Sequence, residues 1–215
     1  MEQRREPDIH IVAERVRRPS KHLRILAIPG SLRQKSLNRA LIRAAKELAP
    51  EGMEIEIADL SGIPLYDGDI EAEGDPDPVM ELKERVRQAD ALLIATPEYN
   101  ASIPGVLKNA IDWLSRPPQL VLRHKPVAIL GAAPGNFGTA RAQSDLRKVL
   151  AHVDAYTIQK PEVMLFRAND AFDADGRLQD EQARQLLRTL LENLISWTQM
   201  VSVSSDRSWQ ETLVS

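Results

Sequence analysis

The residues best equipped for chemistry lie in short polar loops. Pro29-Gly30-Ser31-Leu32-Arg33-Gln34-Lys35-Ser36-Leu37-Asn38 combines a turn glycine, short hydroxyl and amide side chains and two cations, directly before a helical pattern. Unpaired backbone N–H groups at a helix start carry partial positive charge and suit a phosphate. Ser31, Ser36 and Asn38 offer donors to its oxygens, and Arg33 a charge-assisted bond. Two familiar phosphate loops fail here. A G-x-x-x-x-G-K-[ST] motif set on Lys35-Ser36 needs glycine where Pro29 and Gln34 stand, and Gly30 lacks the second glycine of G-x-G-x-x-G. Helix capping by Ser36 or Asn38 is the plainer alternative.

A second loop, Thr96-Pro97-Glu98-Tyr99-Asn100-Ala101-Ser102-Ile103-Pro104-Gly105, has its backbone fixed by two prolines around an aromatic among polar groups. Such a loop can lay peptide N–H and C=O groups along a flat heterocycle, with Tyr99 or Ile103 packed beside it. A plain strand-to-helix turn is the alternative. The third loop, Gly131 to Thr139, is small and glycine-rich, so its backbone can approach a ring closely.

The elements that must carry these loops follow from periodicity. Short apolar runs at Leu23–Ile28, Ala91–Ala95 and Pro126–Gly131 are strand-sized and bounded by turn residues. Met53–Ile57 alternates, and a short strand is expected near Ala155–Gln159. Helical stripes occupy Ser36–Ala49, Asp77 to Ala89, Pro104–Leu114, Gly138–His152 and Asp180–Met200. Asp59–Pro78, rich in Gly, Pro and Asp, is expected to be irregular. Alternating strands and helices predict an open, doubly wound parallel sheet, in which ligands sit at the carboxyl ends of the strands where the order reverses. The three polar loops fall at such ends.

Composition bounds the rest. The 215 residues suit one α/β domain, and a formal charge of -3 argues against a general polyanion binder, so no nucleic acid partner is expected. The apolar stretches are too short to span a membrane. With no cysteine there is no disulfide, thiolate–zinc site or thiol redox chemistry, which is compatible with a cytoplasmic protein. Any redox work would need a bound cofactor. Residues 1–22 are expected to be a loosely packed extension, 23–200 the domain and 201–215 a tail. The Ile9–Val12 run could instead add a strand.

The motifs Gly30-Ser31-Leu32-Arg33, Ser36-Leu37-Asn38, Ile63-Pro64-Leu65-Tyr66-Asp67 and Thr96-Pro97-Glu98-Tyr99-Asn100 occur in order. They precede Ile103-Pro104-Gly105 and Lys108-Asn109-Ala110-Ile111-Asp112-Trp113-Leu114-Ser115-Arg116-Pro117. Together they closely resemble the NADPH-dependent FMN reductase family, especially its quinone, azo and chromate reductase members. The resemblance implies a flavodoxin-like three-layer α/β sandwich with a five-stranded parallel sheet in the order 2-1-3-4-5. It also implies non-covalent FMN, NADPH or NADH as electron donor, a small-molecule electron acceptor, and a homodimer that often pairs into a tetramer. By the same resemblance, Ser31, Arg33, Ser36 and Asn38 hold the FMN phosphate. Pro97, Glu98, Tyr99 and Asn100 hold the ring and ribityl chain with Ile103 nearby, and Ala133, Pro134, Gly135 and Gly138 approach the ring's other edge. Lys108, Asn109, Asp112 and Trp113 build the helix and subunit interface. In some of the family's tetramers an Arg, a Tyr and a Glu meet across subunits; Arg141 and Glu162 match two of these, with Ser144 in place of the Tyr.

The activity so implied is a ping-pong transfer from NAD(P)H to quinones, azo compounds, flavins or chromate-like oxyanions, with the flavin carrying the chemistry and no catalytic acid or base. His10, His22, His124 and His152 share no motif. The alternative is a flavodoxin-type electron carrier or flavin-binding regulator docking through the acidic Asp67–Asp77 stretch. A nucleotide-sensing domain without flavin is a third reading, weakened by the failed phosphate motifs.

Overall fold

Period-two alternation in the strands decides the layering. In β1 (Leu23–Pro29) Ile25 and Ala27 face one side of the sheet while Leu26 and Ile28 face the other. In β3 (Ala91–Ala95) Leu93 and Ala95 join the first side, Leu92 and Ile94 the second. Strands apolar on both faces must be covered on both. On the first side lie α1 (Leu37–Glu47) and α6 (Glu181–Ser205), which contributes Leu187, Leu190, Leu191 and Leu194. The second side is covered by α3 (Asp77–Gln88), α4 (Gly105–Leu114) and α5 (Ala140–His152). Each fully buried Leu or Ile in these layers contributes roughly 2 kcal/mol.

The computed structural model describes residues 22–205. The strands β2 (Met53–Ile57), β1, β3, β4 (Pro126–Ala132) and β5 (Tyr156–Thr157) pair in that order, all parallel. The expected order 2-1-3-4-5 is therefore found. Its fifth position is made of two pieces: β5 pairs with Pro126 and Val127, and β6 (Val163–Leu165) with Leu130 to Ala132. Between them lies Pro161, which has no N–H to give a ladder.

Two expectations need adjustment. The Asp59–Pro78 stretch contains a helix, α2 (Gly68–Glu73), started by Asp67, whose side chain accepts from Asp69 N, and ended at Gly74. At the other end, α6 runs on to Ser205, so the first residues of the expected tail are helical. The rest of that tail, residues 206–215, and the expected extension with its 9–12 run lie outside the described residues. No helix among the described residues is long and apolar enough to cross a membrane.

Candidate active site

The chain order reverses at β1, with β2 on one side and β3 on the other, so the loops leaving β1, β3 and β4 rise together at the carboxyl edge. Loop 1 follows β1, loop 3 follows β3 and loop 4 follows β4.

Loop 1 is tied down at its base and open at its tip. Gly30 N donates to Ala95 O at 2.8 Å. The buried Ser31 hydroxyl lies 3.2 Å from the Tyr99 hydroxyl and accepts from Arg33 N at 3.3 Å. Arg39 Nε donates to Ser31 O at 3.3 Å while its guanidinium pairs with Asp59, so Arg39 braces the loop from α1. Hydrogen bonds from Ser61, with the nearby Arg39 charge, hold the Asp59 carboxyl below its ordinary value.

Ser36 caps α1, its Oγ accepting from Asn38 N and Arg39 N. That occupies the acceptor side of the hydroxyl and leaves its hydrogen to donate. Among the described residues, the backbone N–H groups of Leu32, Gln34, Lys35 and Leu37 make no hydrogen bond, and Arg33 and Lys35 are exposed with no carboxylate in salt-bridge range. This donor set fits a phosphate ester. Asn38 has a different post. Its amide donates to Ala132 O and accepts from Ala132 N, both at 2.9 Å, and the residue is 2 % exposed. Rather than presenting that side chain to a phosphate, the structure uses it to strap α1 to the end of β4.

Loop 3 begins with buried Thr96 and Pro97. Tyr99 and Ser102 exchange two backbone hydrogen bonds across Asn100 and Ala101, whose φ angles of 51° and 66° give the tight hairpin turn with two left-handed residues. Tyr99 and Asn100 are thereby exposed at the tip, and Ile103 packs back on the second core layer. Glu98 is turned toward α5: its carboxylate accepts from Arg141 N at 3.0 Å, Ala142 N at 3.2 Å and Arg141 Nε at 2.6 Å. Burial pushes this carboxyl up, but the Arg141 guanidinium and the two peptide N–H groups outweigh it and hold it below its ordinary value. The Glu98 side chain is thus committed within the protein, and its backbone is what loop 3 can offer a ring.

Loop 4 is shaped by close approach. A Cβ at Gly131 would sit 2.0 Å from Thr139 Oγ1 and 2.6 Å from Thr96 O, so only glycine fits where β3, β4 and α5 converge. Gly138 turns the chain with φ of 56°. Ala133 is pinned by N–H donation to Leu165 O and acceptance from Ala168 N, whereas Pro134 and Gly135 are exposed. A Cβ at Gly135 would meet nothing within 4 Å, which leaves free space beside its backbone.

Sequence reasoning missed the network under the 63–67 segment. Asn109 accepts from Tyr66 N and donates to Pro64 O, both at 2.7 Å, and Trp113 Nε1 donates to the same carbonyl at 2.9 Å. Tyr66 donates to Glu71, which Arg116 pairs from the other side, and buried Lys83 donates to Asp75 at 2.6 Å. The Lys-Asn-Ala-Ile-Asp-Trp helix therefore anchors a loop through Asn109 and Trp113, while Lys108 and Asp112 form an i,i+4 pair along it. Glu71 and Asp75, part of the acidic docking stretch considered above, are consumed internally. Arg141 pairs with Glu98 and Glu162 with Lys160 inside the same chain. His22, His124 and His152 lie toward the amino edge, away from the three loops, and His10 is outside the described residues.

Residues 23–170 match the family model described as NADPH-dependent FMN reductase. An NAD(P)H-dependent FMN reductase of Pseudomonas aeruginosa is 54% identical over 178 residues, covering 83% of this chain and 96% of the relative. A 2-hydroxy-1,4-benzoquinone reductase of Burkholderia sp. is 42% identical over 176 residues, covering 81% and 96%. Among solved structures, a flavoenzyme NAD(P)H:(acceptor) oxidoreductase of Paracoccus denitrificans superposes with a TM-score of 0.77 at 36% identity, covering 83% of this chain and 98% of that one.

Proposed function

The chain belongs to the NADPH-dependent FMN reductase family, and from that membership and its loop geometry we propose that it passes electrons from a reduced nicotinamide to quinone-type acceptors. It is an NAD(P)H-dependent oxidoreductase whose cofactor is FMN. The observation that carries the placement of FMN is loop 1, with its unengaged N–H groups, its Ser36 hydrogen and its unpaired cations. Loop 1 would hold the phosphate through Ser31, Arg33 and Ser36, and loops 3 and 4 would flank the ring with the backbones of Pro97 to Asn100 and Ala133 to Gly135. FMN held by these residues would supply the redox chemistry between NAD(P)H and the acceptor, with donor and acceptor using the one site in turn, a ping-pong order.

This chain's part is to bind, orient and exclude water. Ser31 and Tyr99, joined through their hydroxyls, close the seam between loops 1 and 3. Asn38 fixes loop 1 to the base of loop 4. Azo compounds and chromate-like oxyanions are further acceptors of the same site; the resemblance of its motifs supports a homodimer as the working unit, and the cysteine-free sequence is compatible with the cytoplasm. The electron-carrier alternative has a reduced acidic face, because Glu71 is held by Tyr66 and Arg116 and Asp75 by Lys83, while Asp67, Asp69, Glu73 and Asp77 stay exposed.

Initial rates at several fixed quinone concentrations test the order. Parallel double-reciprocal lines against NADPH are expected, and intersecting lines would contradict ping-pong exchange.

A further inference from the structure

Loops 3 and 4 leave neighbouring strands, yet above the bond from Thr96 N to Leu130 O no backbone hydrogen bond joins them among the described residues. Their connection runs through side chains. Thr139 stands at the cap position of α5, but its hydroxyl accepts from the Gln143 side chain and caps no backbone N–H; that task falls to Glu98, reaching across from loop 3 to Arg141 N and Ala142 N. The Arg141 guanidinium returns to the same carboxylate and lies 4.9 Å from the ring centroid of Phe137 in loop 4. One residue thus grips loop 3 by charge and loop 4 by a cation–π contact. Ser102 Oγ, donating to Asp145 at 2.6 Å, adds a second tie between loop 3 and α5.

We infer that Arg141 is a positioning residue for the cofactor cleft: by holding Glu98 and Phe137 together it sets the separation of the two walls between which the ring lies. The inference rests on the FMN reading above. It assigns Arg141 a task within one chain, different from the intersubunit contact that the family resemblance implies. The Glu98 side chain is 6 % exposed, so losing Arg141 leaves a largely buried carboxylate with two peptide partners and no counter-ion. The carboxylate then gains by swinging outward, and the wall it belongs to moves with it.

The test is equilibrium titration of FMN into flavin-free protein, with NADPH:quinone kinetics and sedimentation mass measured alongside. Arg141→Ala is expected to weaken FMN about tenfold and to raise the quinone KM more than it lowers kcat, at unchanged mass. Arg141→Lys, which keeps charge but loses the planar fork, should fall between. Glu98→Gln should mimic Arg141→Ala, and the double variant should be no worse than either single one. FMN affinity and KM within twofold of the unsubstituted protein in Arg141→Lys and Glu98→Gln would overturn the inference, as would a fall in mass with affinity intact. If the unsubstituted protein takes up no FMN, the cofactor reading fails first and this inference with it.

Discussion

The Asn38 side-chain amide and the Ala132 peptide close a reciprocal pair of hydrogen bonds, each 2.9 Å long, across 94 residues of chain. It joins the first turn of α1 to the last residue of β4, and so fixes loop 1 relative to loop 4. Asn38→Leu leaves the buried Ala132 N–H and C=O without partners. Each such orphan costs about 1–3 kcal/mol, so urea unfolding of the flavin-free protein should show a loss of about 2–4 kcal/mol. A loss under about 0.5 kcal/mol would mean that the strap contributes nothing.

Ser36 caps α1 and, in the proposed function, also holds the FMN phosphate, and substitution can separate the two. Ser36→Ala removes the cap and should cost about 1 kcal/mol of stability, together with FMN affinity. Ser36→Asp keeps a good cap while placing negative charge against the phosphate. Its stability should stay within about 0.5 kcal/mol of the unsubstituted protein while FMN binding weakens about tenfold or more. Chemical denaturation and flavin titration on the same samples check both halves.

Gly131 tolerates no side chain. In Gly131→Ala the new methyl meets Thr139 Oγ1 and also the Thr96 carbonyl, which is backbone and cannot swing aside. A destabilisation of about 2–3 kcal/mol, or failure to fold, is expected. Adding Thr139→Ala should restore little of it, measured by thermal unfolding, because the carbonyl clash remains.

Acid should loosen the tie between loops 3 and 4. Arg141 and two peptide N–H groups hold the Glu98 carboxyl below its ordinary value against the opposing effect of burial. A pKa lower in the folded than the unfolded protein gives stability fully present above the unfolded value, about 4.3, and lost as pH falls through the folded one. The gap in thermal midpoint between unsubstituted protein and Glu98→Gln should therefore be constant at neutral pH and close in acid below about pH 4.3. A gap that persists unchanged into strong acid would contradict this.

The sheet was legible because its central strands are apolar on both faces and bounded by turn residues, as in Ala91–Ala95 before Thr96-Pro97, and because Met53–Ile57 alternates. The loops were legible because topology places them at strand ends. What stayed hidden has a common cause. The helix α2 buries no residue, so it leaves no hydrophobic period to read. The three residues of β6 are too few for a pattern. Asn38 and Glu98 carry polar side chains suited to a ligand, and their actual partners, Ala132 and Arg141, lie 94 and 43 residues away. Residue type told that these positions are polar and placed at the site. It could not tell whether the polarity faces a ligand or another part of the chain.

The proposed NADPH–quinone cycle is tested most directly by an anaerobic absorbance spectrum of FMN-reconstituted protein, recorded before and after NADPH and again after a quinone. The expected result is bound flavin whose colour bleaches on adding NADPH and returns on adding the quinone. Bound flavin that keeps its colour with both NADPH and NADH would contradict the oxidoreductase account, and a protein that binds no flavin would contradict the assignment of all three loops.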